Sequence, residues 1–356
     1  MNSFLQFLNY SLFPFSLLYD IVTQIRNKLY QQKYFRTETT KVFSICVGNI
    51  AVGGTGKTPH IEYLIRLLSD SYELVTISRG YGRKTKGFLI ADQNSTAQSI
   101  GDEPMQFFIK FGHKIKVIVG EKRVSAAQKL LDNFPKTQII LLDDAFQHRA
   151  ISANLNILLT DYYQLFYKDF LLPMGRLREN RRGIQRADAI VVTKIPEDLS
   201  SEEKHQIVKN INKYAKNNIP IFWSSIMYLP LKPLFDSTKN VLTSKNVILV
   251  TGLANNMTIK KHIGQHYNLL KTITLADHQD YTMSDIEFLL KEYMYYHLQN
   301  HSQNSFDKPI IITTEKDMVK LQNPIFFDLL KNLDLYYLPI CIKIDKEFDE
   351  FILRHL

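Results

Sequence analysis

Residues 41–50 read KVFSICVGNI, a β-branched apolar run of the kind that forms a buried strand. AVGGTGKTP follows at 51–59, and then Ile61, Leu64, Ile65 and Leu68 recur at helical spacing. A strand, a glycine-rich turn and a helix in that order make the setting a phosphate-binding loop requires. Glycines let successive backbone N–H groups curl around phosphate oxygens. Gly53, Gly54, Thr55 and Gly56 supply that cradle here, with Lys57 placed to reach the β- and γ-phosphates and Thr58 to offer a hydroxyl to Mg²⁺. Pro59 falls in the first helical turn, where its missing N–H costs little. The pattern G-x-x-x-x-G-K-[ST] departs once, with Ala51 in place of the first glycine.

A loop of this kind needs a second magnesium element, a buried strand that ends on a carboxylate. Residues 138–144, QIILLDD, have that form, and Asp143 and Asp144 are the candidate metal-shell residues. A further strand, AIVVTK at 189–194, resembles the one that precedes the guanine-reading motif of GTPases. The aspartate that motif needs falls at Pro196, so ATP is the expected nucleotide.

Phosphoryl transfer needs a group that orients the acceptor oxygen, and a phosphate loop supplies none. Asp102 and Glu103, in GDEP at 101–104, are carboxylates placed to accept a hydroxyl proton; helix capping is their alternative role. His148 lies just past the QIILLDD strand. His278 is flanked by Asp277 and Asp280, an arrangement that raises an imidazole pKa and fixes its tautomer. Arg79 and Tyr81 sit in SRGYGR (78–83), a basic glycine-rich loop after a strand, at the usual ligand edge of an open α/β sheet. Arg176, Arg178, Arg181, Arg182 and Arg186 crowd one segment with a single acid, Glu179, and suit a phosphate-bearing ligand that guanidinium grips in bidentate fashion.

The net charge of +9 favours anionic partners without choosing among them. No RNP, helix-turn-helix or zinc-finger pattern is present, so nucleic acid is not the expected partner. Two cysteines build no disulfide framework, and Cys46, inside the first strand, reads as a buried thiol of a reducing compartment. Residues 1–36 form a separate segment. Leu5, Leu8, Leu12, Phe15, Tyr19 and Val22 fall on one helical face, with Ser16, Asp20, Thr23 and Asn27 mostly opposite. Pro14 is expected to kink or break that helix. The apolar run is too short and too interrupted to span a bilayer, and no basic n-region or cleavage site marks a secretory signal. With Arg26, Lys28, Lys33 and Arg36 trailing it, the segment fits an amphipathic helix lying in the membrane interface, against the alternative of packing on the protein's own core.

Together these segments closely resemble the tetraacyldisaccharide 4′-kinases, the lipid A 4′-kinases of Gram-negative bacteria. VGNIAVGGTGKTP (47–59), SRGYGR (78–83), GDEP (101–104), DDAFQHR (143–149), PMGRLRE (173–179), TGLANN (251–256), ADHQDYT (276–282) and TTEKDM (313–318) occur in order across nearly the whole chain. The resemblance implies an ATP- and Mg²⁺-dependent kinase acting on the 4′-hydroxyl of a tetraacyl glucosamine disaccharide 1-phosphate, peripheral to the cytoplasmic face of the inner membrane. It implies Asp102 as base, assisted by His278, and Lys57 as the phosphate clamp. It carries the metal shell onto Thr58, Asp143 and Asp144. Arg79, Tyr81, Glu103, His148, Arg176 and Arg178 are then candidate substrate contacts. Ala145 and Asn256 are small departures from the family pattern.

The expected fold is α/β: a P-loop NTPase-like α/β/α core domain, a second smaller α/β domain, and the N-terminal amphipathic membrane-interface helix. Prolines 220, 230 and 233 suggest a division into 1–36, 37–220 and 221–356, with the last part closing over the site. Strands are expected near 246–251 and 309–314, a surface loop in the polar tract LQNHSQNS, and a short helix at 348–356. The rival readings are a membrane-associated P-loop GTPase or an ATP-switched adaptor with no lipid acceptor.

Overall fold

The computed structural model describes residues 11–235, 244–253, 256–276, 279–302 and 308–356, with side chains at 300–302 left aside. Period-two burial builds the first unit. In the strand Phe43–Gly48, Ile45 and Val47 enter one apolar cluster and Cys46 the opposite one. In Ile139–Asp143, Ile139 and Leu141 take the first side and Ile140 and Leu142 the second. A strand apolar on both faces must be covered on both, which gives an α/β/α sandwich. Helices Lys57–Leu68, Asp102–Phe111 and Lys346–Leu353 cover one face through Ile61, Leu64, Phe107, Phe111, Phe348 and Ile352. Helices Arg123–Asn133 and Ser201–Asn212 cover the other through Ala126, Leu130, Ile207 and Ile211.

Among the described residues this sheet has nine strands. Their order is Ile340–Ile344, Ile221–Tyr228, Ala189–Thr193, Leu155–Asp161, Phe43–Gly48, Ile139–Asp143, Leu74–Ser78, Lys116–Val119 and Leu89–Ile90. Only the two outermost strands run antiparallel to their neighbours. The C-terminal ends of the inner strands therefore share one edge, and the phosphate loop, Ser78, Asp143 and Thr193 all lie there.

Among the described residues the second unit is a five-stranded sheet ordered Lys232–Pro233, Leu335–Leu338, Ile310–Thr314, Asn246–Thr251 and Asn268–Thr274, parallel except for its first strand. Val247 and Leu249 pack with Ile259 and Ile263 on one side. Ile248 and Val250 pack with Ile286, Leu289, Met318 and Phe326 on the other.

The division expected at residue 220 does not coincide with the change of sheet. Pro220 lies at the entry to a strand of the first sheet: its carbonyl accepts from the Ile190 N–H, and Ile221 pairs with Ile190. The C-terminus also returns, because Ile340–Ile344 pairs with Ile221–Tyr228 and the helix Lys346–Leu353 packs Phe348 on Phe222. Residues 340–356 thus belong with the first unit, and the second is an insertion before the last strand. Residues 298–302 of the polar tract expected to be a loop belong to the helix Met283–Ser302. Residues 303–307 lie outside the described residues.

Residues 1–10, including Leu5 and Leu8, also lie outside them. The helix Phe13–Gln31 holds Pro14 in its first turn, so the expected break is absent over the described span. Its polar side docks on the protein. The Ser16 hydroxyl donates to the Leu171 carbonyl at 3.1 Å, the Tyr19 hydroxyl to that of Arg178 at 3.0 Å, and the Arg26 guanidinium to that of Gln147 at 3.1 Å. Phe13, Phe15, Leu17, Leu18, Ile21, Val22 and Ile25 face away, each about half exposed or more. A helix that packs on its own protein usually buries the apolar side; this one buries the polar side. No helix among the described residues is long and apolar enough to cross a membrane.

Candidate active site

The phosphate loop leaves its strand at Gly48, where an added Cβ would stand 2.5 Å from Cβ of Phe146. Gly53 and Gly56 have φ of 108° and 86°, a region that L side chains rarely adopt. Gly56 caps the helix Lys57–Leu68, so backbone N–H groups of the first turn are left for an anion.

Four groups hold the loop from outside it. The buried Asn49 amide donates to Thr55 Oγ1 at 2.8 Å. The Thr193 hydroxyl donates to the Thr55 carbonyl at 2.9 Å. Lys194 Nζ donates to the Gly54 carbonyl and pairs with Asp161 at 2.7 Å. His60 Nδ1 lies 2.7 Å from the Gly56 carbonyl and Nε2 2.9 Å from Ser224 Oγ. A carbonyl only accepts, so Nδ1 carries the proton and Nε2 accepts from the serine. Burial presses the His60 pKa down to about 4, which keeps that neutral tautomer. His60 and Lys194 were missed in the sequence because their partners are distant in the chain. AIVVTK resembled a base-reading strand, yet its lysine ties down the phosphate loop.

The two strand-end carboxylates have separate environments. Asp143 is buried and accepts from the Ser78 hydroxyl at 3.1 Å. Burial, then the charges of Asp144 and Glu103, raise its pKa to about 7. Asp144 has φ of 47°, and its Oδ2 stands 3.7 Å from Lys57 Nζ and 3.1 Å from Arg178 Nη1. Burial pushes its pKa up, but Lys57 and Arg178 outweigh burial and hold the group below the usual carboxylate value.

Arg178 therefore converges on this centre, while Arg176 pairs with Asp169 at 2.8 Å instead. Backbone bonds from Val52 N–H to the Arg176 carbonyl and from Arg178 N–H to that of Ile50 lay the arginine segment along the phosphate loop. His148 is lowered to about 4, by burial first and then by Arg123, Arg26 and Arg79. Arg123, which is buried and was not singled out in the sequence, acts on His148 and is itself influenced by Asp143, Arg79 and Asp144, so it shares their electrostatic neighbourhood.

Asp102 opens the helix Asp102–Phe111 and is buried. The preceding Gly101 has φ of 98°, and an added Cβ there would meet the Gly80 backbone at 3.0 Å, so the SRGYGR and GDEP loops pack glycine against glycine. Arg79 and Tyr81 are consequently exposed beside the GDEP turn. Asp102 Oδ2 lies 3.1 Å from Nζ of Lys320, a residue of the second unit. His278 lies outside the described residues. Thr58 occupies the second position of the loop helix, and Glu103 the second of the GDEP helix.

Thr58, Asp143 and Asp144 offer hard oxygen donors, the kind Mg²⁺ takes when it is bound by one or two carboxylates plus substrate phosphates. The raised Asp143 pKa fits such a site: with no cation present, a proton relieves the crowded carboxylates.

Comparison with known proteins agrees over nearly the full length. The profile of the family described as Tetraacyldisaccharide-1-P 4'-kinase matches residues 8–356. The Tetraacyldisaccharide 4'-kinase of Cytophaga hutchinsonii is 40% identical over 339 residues, covering 95% of this chain and 92% of that protein. That of Bacteroides thetaiotaomicron is 38% identical, covering 97% and 91%. The fold matches the crystal structure of the "apo" form of LpxK from Aquifex aeolicus in complex with ATP, with a TM-score of 0.74 at 28% identity, covering 98% of this chain and 99% of that one.

Proposed function

The chain belongs to the tetraacyldisaccharide-1-P 4'-kinase family, and from that premise we propose that it transfers the γ-phosphoryl group of ATP to the 4′-hydroxyl of a tetraacyl glucosamine disaccharide 1-phosphate. The product is the 4′-phosphorylated lipid A precursor. The observation that carries the catalytic reading is Lys57, at the mouth of the strand–loop–helix cradle, 3.7 Å from the strand-end carboxylate of Asp144. A lysine there clamps the β- and γ-phosphates, and the Gly53–Thr55–Gly56 backbone, with Gly54, receives the phosphate oxygens. Thr58, Asp143 and Asp144 would hold Mg²⁺, which neutralises phosphate charge when bound.

Asp102 accepts the proton of the 4′-hydroxyl as that oxygen attacks phosphorus, and the bond from phosphorus to the β–γ bridging oxygen breaks. His278 assists Asp102. Arg79, Tyr81, Glu103 and His148 contact the acceptor, as do Arg176 and Arg178 when they exchange their present carboxylate partners for phosphate. The exposed apolar face of the helix Phe13–Gln31 docks the enzyme peripherally on the cytoplasmic face of the inner membrane, where an acylated substrate lies. A guanine-specific switch is not favoured: Pro196 occupies the base-reading position, and Lys194 is engaged by the phosphate loop.

The acceptor is tested by offering the disaccharide 1-phosphate with and without its 4′-hydroxyl. Phosphate incorporation into the first alone supports the assignment. Incorporation into both, or nucleotide hydrolysis with neither phosphorylated, contradicts it.

A further inference from the structure

Lys320 sits on the helix Glu315–Leu321 of the second unit, with its side chain only 4% exposed. An ammonium this buried is stable only when paired and hydrogen-bonded. Its Nζ stands 3.1 Å from Asp102 Oδ2 and donates to the Gln279 carbonyl at 2.9 Å. One partner opens a helix of the first unit. The other adjoins His278 in the segment that leads into the helix Met283–Ser302.

The helix that carries Lys320 is itself anchored. Thr314 caps it by accepting from the Asp317 N–H, and its hydroxyl donates to Asp317 Oδ2 at 2.6 Å. The same carboxylate oxygen accepts from the Gly252 N–H at 3.0 Å, and a Cβ at Gly252 would crowd Asp317 Oδ1 at 2.9 Å. Thr314, Asp317 and Gly252 thus hold the turn from which Lys320 projects. Asp102 of GDEP and Gln279 of ADHQDYT meet at this one ammonium, while Gly252 of TGLANN and Thr314 and Asp317 of TTEKDM brace the helix that carries it.

We propose that Lys320 is a positioning residue for phosphoryl transfer, fixing the Asp102 carboxylate across the two units while the Gln279 carbonyl holds its ammonium in place. The proposal rests on the reading of Asp102 as the base. Lys320 touches neither nucleotide nor acceptor in this account; it acts through Asp102. Transfer geometry is demanding, since a 1 Å misplacement of a reacting group can cost about 100-fold in rate.

The test uses the full chain with Lys320→Met, Lys320→Arg, Asp102→Asn and the Lys320→Met/Asp102→Asn double variant. Lys320→Met is expected to lower kcat by about 10- to 100-fold while KM for ATP stays within about twofold. Lys320→Arg keeps the charge but not the reach, so it should lose less, about three- to tenfold. In the Asp102→Asn background, Lys320→Met should cost less than about twofold, because the group it acts through is gone. Wild-type kcat in folded Lys320→Met overturns the proposal, as does an equal loss in both backgrounds. Should Lys320→Met fail to fold, Lys320→Arg carries the test, and wild-type kcat there overturns it. Crippled Asp102→Asn beside unimpaired Lys320 variants removes this proposal alone. Wild-type turnover by Asp102→Asn removes the base reading and this proposal together.

Discussion

Asp143 and Asp144 are consecutive in the chain, yet Asp143 takes its hydrogen bond from Ser78 while Asp144 faces Lys57 and Arg178. The positive φ of Asp144 places the turn between them at the end of the buried strand. One carboxylate is thereby compensated by cations, while burial pushes the pKa of the other up to about 7. Phosphate and metal would enter beside the pair.

That asymmetry predicts a pH dependence of stability. The folded-state pKa of Asp143 is about 7, raised from 3.8 by burial first and then by its acidic neighbours. A carboxyl raised on folding contributes stability below its unfolded pKa, and that contribution fades as pH rises through the folded value. Each pKa unit is worth about 1.4 kcal/mol, so the nucleotide-free protein should lose roughly 2–4 kcal/mol through this group between about pH 4 and pH 8. Denaturant unfolding of wild type and Asp143→Asn checks it. The variant should be the more stable at pH 8, with the difference closing near pH 4; a constant difference across that range would contradict the assignment.

Lys110 joins the two units through buried carboxylates. Its Nζ lies 2.5 Å from both Glu62 and Glu315, whose side chains are almost fully buried. Burial, and then Glu62, raise the Glu315 pKa, against the lowering effect of Lys110. Removing the cation leaves two acids facing each other, so Lys110→Met should destabilise by about 3–5 kcal/mol at neutral pH. Adding Glu315→Gln should recover part of that. Unfolding curves of the single and double variants measure both, and additive losses would show that the three groups do not act as one cluster.

The exposed face of the helix Phe13–Gln31 predicts membrane binding separable from nucleotide binding. Leu18 and Ile21 are exposed, while Ser16, Tyr19 and Arg26 anchor the opposite side. Leu18→Asp/Ile21→Asp should lower partitioning onto anionic lipid vesicles at least about tenfold, since each lost apolar side chain is worth about 1.5–3 kcal/mol. ATP affinity should be unchanged. Undiminished vesicle sedimentation of the double variant would contradict the docking role.

Much of this architecture was legible because it is local. The strand, loop and helix around residues 43–68 are contiguous, and the glycines that make the loop possible are visible as glycines. The QIILLDD strand announced its carboxylates in the same way. What stayed hidden depends on contacts between distant segments. Lys320 meets Asp102 only when the two units come together, and His60 meets Ser224 and Lys194 meets Gly54 only once the first sheet has formed. Pro220 read as a boundary because proline punctuates loops, but it precedes a strand whose pairing with Ala189–Thr193 no local pattern shows. The N-terminal helix was only half legible: Phe15 and Val22 lie on the exposed side, but Tyr19, placed with them on the apolar face, instead anchors the docked side on the Arg178 carbonyl.

The most direct measurement is phosphate transfer from labelled ATP to tetraacyl disaccharide 1-phosphate in detergent, with wild type beside Asp102→Ala and Lys57→Ala. Transfer by wild type is expected, with each variant's kcat/KM reduced by at least about 100-fold. Folded variants that transfer at the wild-type rate, or a wild type that binds ATP and leaves the lipid unphosphorylated, would contradict the account.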